Sequence, residues 1–321
     1  MMTGLHPKLR EILATAPNPD AVPVEAQDPD EARAEWKADM RELDGPAPEM
    51  AVLRDVQLTT DKGVLAARVY VPDDLLGDAL PCLVYFHGGG FIRGDIETHD
   101  SICRVLAKNA AVMVISIAYR LAPEHRFPAA LDDAYAALEA IVKHVGDFGI
   151  DPTRIAVGGD SAGGNLAAAV CLAARDRGGP SIKAQLLIYP VTDLVGEPDS
   201  KRLYSNGFLL DSMPFYISSY LGPDGDGHDP LASPLRAETL ANLPDAVVLT
   251  AGFDPLRDEG DTYAARLTDA GNRVTHLTYP DMIHGFVSLR GLLPEADQAL
   301  VRMATELGGL LGQAPERTPL R

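Results

Sequence analysis

Three cysteines in 321 residues, Cys82, Cys103 and Cys171, are too few and too widely spaced for a zinc cluster, a redox CxxC pair or a disulfide framework. They read as small buried hydrophobes, and no metal is expected. Basic residues are also scarce: 28 Lys and Arg face 46 Asp and Glu, a formal charge of −18. Such a chain repels a phosphate backbone or an anionic bilayer, so nucleic-acid binding is disfavoured. No uncharged apolar run reaches the roughly 18 residues of a membrane span. The start, from Met1 to Lys8, lacks the basic-then-apolar layout of a secretory signal, which predicts a cytoplasmic protein. No basic amphipathic stretch suggests anchoring at an oil–water interface, and no internal repeat is visible.

What remains is an ordinary globular composition, 46% hydrophobic and 23% charged, far from that of disordered chains. The length exceeds the roughly 250–300 residues at which one core stops growing, so a large core with an added subdomain is expected. Residues 5–16 and 28–43 have helical spacing, with Asp28, Asp30 and Glu31 early in the second and Trp36, Met40 and Leu43 on one side. They precede the first strand signals and stand outside any strand–helix alternation. Strands are predicted at 51–59 and 63–71, a hairpin around Asp61-Lys62-Gly63, and then at 82–86, 111–117, 154–158, 185–189, 246–250 and 274–279. Helical patterns at 128–144, 162–177, 256–270 and 295–311 separate many of them. Apolar strands alternating with helices define an α/β protein with a mainly parallel sheet covered on both faces. The long Pro/Gly-rich, aromatic stretch 193–240 breaks this rhythm and is assigned, with the N-terminal helices, to a cap over the sheet edge. The expected organisation is 1–50 cap, 51–192 core, 193–240 cap insertion and 241–321 core.

Gly159-Asp160-Ser161-Ala162-Gly163 directly follows the strand Ile155-Ala156-Val157 and directly precedes a helical run. In that context G-x-S-x-G is a sharp turn that exposes the serine, with glycines where backbones crowd it, and Ser161 is the candidate nucleophile. Small residues at such a turn also serve plain close packing or capping. A serine hydroxyl needs a base, and its tetrahedral intermediate needs amides aimed at the oxyanion. His87-Gly88-Gly89-Gly90 ends the strand 82–86, and Gly88, Gly89 and Ala162 are the expected oxyanion donors. His87 itself is expected to shape the loop through hydrogen bonds.

Of eight histidines, only His284 lies in a loop just after the last strand signal, which makes it the candidate base; His276 lies inside that strand. The orienting carboxylate should follow strand 246–250, where Asp254 comes first. Asp254 before Pro255 is also a good helix N-cap, a role compatible with orienting a histidine. Asp258 competes, but one turn into the helix it should face away from the strand end.

The order Ser161, Asp254, His284 is that of the α/β hydrolases. HGGG at 87–90, Tyr119-Arg120-Leu121-Ala122-Pro123-Glu124, Phe127-Pro128-Ala129-Ala130, GDSAGGN at 159–165, Asp254-Pro255-Leu256-Arg257-Asp258-Glu259-Gly260 and His284-Gly285-Phe286 together resemble the hormone-sensitive-lipase-like carboxylesterases over about residues 50–310. The resemblance implies an α/β-hydrolase fold with a helical cap, hydrolysis of short-to-medium acyl esters without metal or organic cofactor, and a homodimer through the sheet edge. By matching position it implies Ser161, Asp254 and His284 as triad and Gly88, Gly89 and Ala162 as oxyanion donors. A binding-only receptor on the same fold, or an amidase or peptidase on the same triad, are the rival readings. Phe91, Phe208, Leu209 and Tyr216 are apolar candidates for the acyl pocket, with core packing as the alternative.

Overall fold

In the computed structural model the described residues are 3–15, 22–73, 75, 77, 79–205 and 212–312. The eight strands are β1 (Val52–Thr60), β2 (Gly63–Val71), β3 (Leu80–Phe86), β4 (Met113–Ile117), β5 (Ile150–Asp160), β6 (Ala184–Ile188), β7 (Asp245–Phe253) and β8 (Val274–Ile283). They form one sheet in the order β1-β2-β4-β3-β5-β6-β7-β8. β1, β2 and β4 pair antiparallel, and all pairings from β4 to β8 are parallel. The parallel strands β3, β4 and β6 are buried along their whole length, which explains their unbroken apolar runs. The edge hairpin is different: β1 is exposed at most positions.

The helices are α1 (Pro7–Thr15), α2 (Pro29–Leu43), α3 (Asp100–Ala110), α4 (Ala129–Lys143), α5 (Val145–Phe148), α6 (Ala162–Arg177), α7 (Asp199–Tyr204), α8 (Met213–Leu221), α9 (Arg257–Asp269) and α10 (Pro294–Leu310). Two apolar layers sandwich the sheet, one including α4, α6 and α9 and the other α3 and α10. From Ala162 to Ala174 every residue of α6 is buried, and the run of Gly and Ala lets the helix lie close to the strands. No helix among the described residues is long and apolar enough to cross a membrane.

The segments outside the alternation divide in a way the sequence pattern did not distinguish. Leu5 before α1 and Leu9 within it sink into the layer of α10, and His6 N–H donates to Asp281 O at 2.9 Å. α2 instead lies over the C-terminal ends of the strands. Arg33 on α2 donates through Nε to Ile92 O (2.9 Å) and through Nη2 to Ala122 O (3.1 Å), and pairs with Glu124 at 2.7 Å. Residues 193–240 also split: Tyr216 of α8 lines the same pocket as Trp36 of α2, while Ala232, Ala237 and Leu240, with Met213 and Tyr220 of α8, belong to the α6 layer. The helix α3 is a further addition, lying outside the helical patterns predicted from the sequence.

Candidate active site

β5 ends in a turn that holds Ser161 at φ +53° and ψ −116°, a conformation L residues rarely adopt. The neighbours enforce it. A Cβ on Gly163 would stand 1.9 Å from Phe86 O, so only glycine lets α6 start this close to β3. Ser161 N–H donates to Ile188 O at 2.9 Å, and its own carbonyl accepts from Val191 N–H at 3.2 Å. The backbone is pinned on both sides, and Oγ is left to point outward.

Strand register brings the other two groups together. Phe253 of β7 is paired with Ile283 of β8 beyond an irregularity in the ladder, so the residues that follow, Asp254 and His284, emerge side by side. His284 Nδ1 lies 2.8 Å from Asp254 Oδ2, and Nε2 lies 2.9 Å from Ser161 Oγ. Since the carboxylate can only accept, Nδ1 carries the proton and Nε2 accepts from the serine hydroxyl. The Asp254 side chain is fully buried. Its second oxygen accepts from Leu256 N–H at 2.7 Å, so Asp254 braces the turn before α9 while facing His284. It stands two residues before the N-cap, which falls at Leu256. Asp258 accepts from Ser200 N–H at 2.8 Å and holds α7 against α9, away from His284.

The glycine loop corrects one expectation. Gly88 N–H donates to Asp160 Oδ1 at 2.9 Å and is therefore taken, not available to an oxyanion. Gly89 and Gly90, at φ +120° and +65°, turn the chain so that both line the pocket with Ser161. Among the described residues no acceptor takes the amides of Gly89, Gly90 or Ala162. A Cβ on Gly89 would come 2.2 Å from Arg93 O, which makes this turn a glycine turn by sterics alone.

Asp160, the variable position of the serine motif, was not singled out in the sequence. It is buried, accepts from Tyr85 Oη at 2.7 Å and faces His99 Nε2 at 3.2 Å. Burial pushes its carboxyl up, but the adjoining His99 and the Tyr85 hydrogen bond outweigh it and leave the group below the usual carboxylate range. The ionised carboxylate thus ties the glycine loop to the residue preceding the serine. His87 has the loop-shaping role expected of it. Its Nδ1 lies 2.8 Å from Gly88 O, its ring stacks on Tyr119 at 4.3 Å, and its carbonyl accepts from Tyr119 Oη at 2.6 Å.

Burial, with neighbouring His99, pulls the His87 pKa from 6.5 to about 4. Between those values the unfolded chain takes up a proton that the folded ring refuses, so this contribution is complete above pH 6.5 and is lost on acidification toward pH 4. At about 1.4 kcal/mol for each pH unit, the full window is worth about 3 kcal/mol. Urea midpoints measured at pH 7 and again near the lower end of that window should show the loss in the wild type and a shallower one in His87→Gln. Equal losses would remove His87 from the account.

The pocket in front of Ser161 encloses about 970 Å³, including space at its open mouth, and is mainly apolar. Phe91 and Tyr216 both line it, as expected. Phe91 also stacks on Tyr220 at 3.7 Å, so it serves the core as well. Phe208 and Leu209 lie outside the described residues. Trp36, Met40 and Leu43 of α2, and Arg93, Tyr189 and Leu289, complete walls that sequence reasoning had not assigned to the site. The helical stripe Trp36, Met40, Leu43 was visible; what it faced was not.

Comparison with known proteins agrees with this geometry. The pattern of the α/β hydrolase fold family matches residues 83–288. Carboxylic ester hydrolase LipN of Mycobacterium tuberculosis is 45% identical over 266 residues, covering 80% of this chain and 70% of that protein. An α/β hydrolase enzyme from the metagenome of Lake Arreo, Spain, superposes with a TM-score of 0.94 at 40% identity, covering 97% of this chain and all of the other. A hyperthermophilic esterase from the archaeon Pyrobaculum calidifontis gives 0.89 at 40% identity, covering 95% and 98%. With the strand order, the serine turn and the sequence similarity all in agreement, the chain belongs to the hormone-sensitive-lipase-like esterase family of the α/β hydrolases.

Proposed function

We propose that the protein is a serine carboxylesterase that cleaves small-molecule esters of short-to-medium acyl chains through an acyl-enzyme on Ser161. The observation that carries this is the unbroken relay from Ser161 Oγ through His284 to Asp254, at 2.9 Å and 2.8 Å. Ser161 Oγ attacks the ester carbonyl as its proton passes to His284 Nε2, and Asp254 stabilises the imidazolium. The carbonyl oxygen becomes an oxyanion facing the amides of Gly89, Gly90 and Ala162. Losing one such donor typically costs about 3–4 kcal/mol of transition-state stabilisation. Collapse of the intermediate breaks the ester bond, and the alcohol leaves with the proton from His284. Water, deprotonated by the same imidazole, then attacks the acyl-enzyme and releases the acid.

Names of the relatives support ester hydrolysis, and the mainly apolar lining in front of Ser161 suits the acyl and alcohol parts of a small ester. α2 and α8 are the cap elements of this reading, lying across the mouth from Ser161. Three free, buried cysteines suit the reducing cytoplasm, and pairing of two copies along the β8 edge is the dimer that belongs to the same reading. A fluorophosphonate probe tests the chemistry. Stoichiometric labelling of Ser161, with matching loss of 4-nitrophenyl butyrate turnover, is expected; fully labelled protein that still turns the ester over would refute it. Rates measured from acetyl to palmitoyl esters should peak among the shorter chains.

A further inference from the structure

Arg93 is a charged side chain in the pocket wall that hydrolysis of a plain ester does not need. Its guanidinium lies 5.1 Å from the ring centroid of Trp36 on α2 and 5.4 Å from that of Tyr216 on α8. Nε is buried and has no hydrogen-bond partner among the described residues. Other inward-set arginines are treated differently. Arg68 meets Asp55, Glu97 and Asp100, and Arg290 meets Asp44 and Asp297. Glu35 and Asp39 on α2 are the acids whose charge reaches Arg93, yet neither forms an ion pair with it; Glu35 accepts from Gln27 instead. Burial correspondingly pulls the guanidinium below its ordinary pKa.

Aromatic neighbours satisfy the flat faces of a guanidinium, but its N–H donors radiate from the edge, in the plane. Here the buried Nε on that edge has no acceptor among the described residues. A buried cationic N–H without an acceptor is costly, and it persists where something outside the fold pairs with it. Arg93 N–H donates to Gly89 O at 3.1 Å, so the side chain is mounted on the same turn that presents the candidate oxyanion amides. A group held by Arg93 is therefore positioned relative to the reacting carbonyl.

We propose that Arg93 is a specificity-determining residue that selects esters carrying a carboxylate on their non-reacting part, such as half-esters of dicarboxylic acids. This rests on the esterase reading and deepens it. A planar carboxylate matches the two-pronged edge of the guanidinium, and binding supplies the direct ion pair that Glu35 and Asp39 do not make.

Two substrate pairs test it, each pair exchanging a carboxylate for a methyl group. Mono(4-nitrophenyl) glutarate against 4-nitrophenyl pentanoate places the carboxylate on the acyl side, and 4-acetoxybenzoate against 4-acetoxytoluene places it on the alcohol side. The readout is the ratio of kcat/KM for the anionic member to that for the neutral one. In Arg93→Met this ratio should fall roughly ten- to a hundredfold in at least one pair, chiefly through KM, and Arg93→Lys should recover part of it. A purely structural Arg93 would depress both members alike and leave both ratios unchanged; that result overturns the proposal while neutral-ester turnover upholds the esterase. Absence of turnover on all four esters by the wild type would sink both.

Discussion

Ser161→Ala is expected to lower kcat toward 4-nitrophenyl butyrate by roughly five to six orders of magnitude while leaving the fold intact. The size follows from what Oγ alone supplies. His284 Nε2 has no other proton to take at 2.9 Å, so without the hydroxyl neither the covalent intermediate nor the first proton transfer exists. What remains is the polarising effect of the free amides, which by itself still gives about 10³–10⁴ over water. The stability side is equally specific. Ser161 makes no side-chain cap bond to α6, and its unusual φ of +53° is imposed by neighbouring backbone, so alanine inherits the strain and gives up only the hydrogen bond to His284. The urea midpoint should therefore hold or rise slightly, as at sites whose geometry serves chemistry above stability. Turnover within tenfold of the wild type would end the assignment of Ser161 as nucleophile.

The contrast between what could and could not be read from the chain follows the range of the forces involved. The serine turn was legible because its glycines answer a local steric demand, and the parallel strands because burial on both faces removes polar residues from them. The order Ser161, Asp254, His284 was legible for a topological reason: successive strand ends lie along one rim of the sheet. Direction was harder. Whether Gly88 or Gly90 presents its amide depends on the φ values of +120° and +65° that follow, and on Asp160 claiming Gly88 N–H. Three glycines in a row carry no trace of that choice. Asp160 stood in plain view inside the motif, but its partners Tyr85 and His99 come from β3 and from the start of α3. Trp36 and Arg93, 57 positions apart in the chain (93 − 36), meet only because Arg33 docks α2 onto Ile92 O and Ala122 O. α1 and α2 had similar helical spacing yet went to different faces, a difference decided by which apolar surface each meets.

Asp254→Asn is expected to cost roughly 10⁴ in kcat, and Asp258→Asn only a fewfold, although the two acids sit within one turn of each other. The argument turns on the two oxygens of Asp254. Oδ1 accepts from Leu256 N–H at 2.7 Å and Oδ2 faces His284 Nδ1 at 2.8 Å. An asparagine has one oxygen to give, and the buried amide of Leu256 needs an acceptor, so the new NH₂ group is turned toward the imidazole. Facing a donor, Nδ1 must shed its proton, which moves to Nε2. In that tautomer Nε2 can no longer accept from Ser161 Oγ, and the nucleophile is left without its base. The backbone turn is meanwhile preserved, so the variant should unfold at nearly the wild-type urea concentration. Asp258 has the opposite profile: it accepts from Ser200 N–H at 2.8 Å and pairs with Arg257 at 2.7 Å on the partly exposed junction of α7 and α9. Its loss should lower stability by about 1 kcal/mol and barely touch the rate. Steady-state kinetics and urea titration of the two variants side by side decide the matter, and a rate collapse in Asp258→Asn with Asp254→Asn left active would move the orienting role one helical turn along the chain.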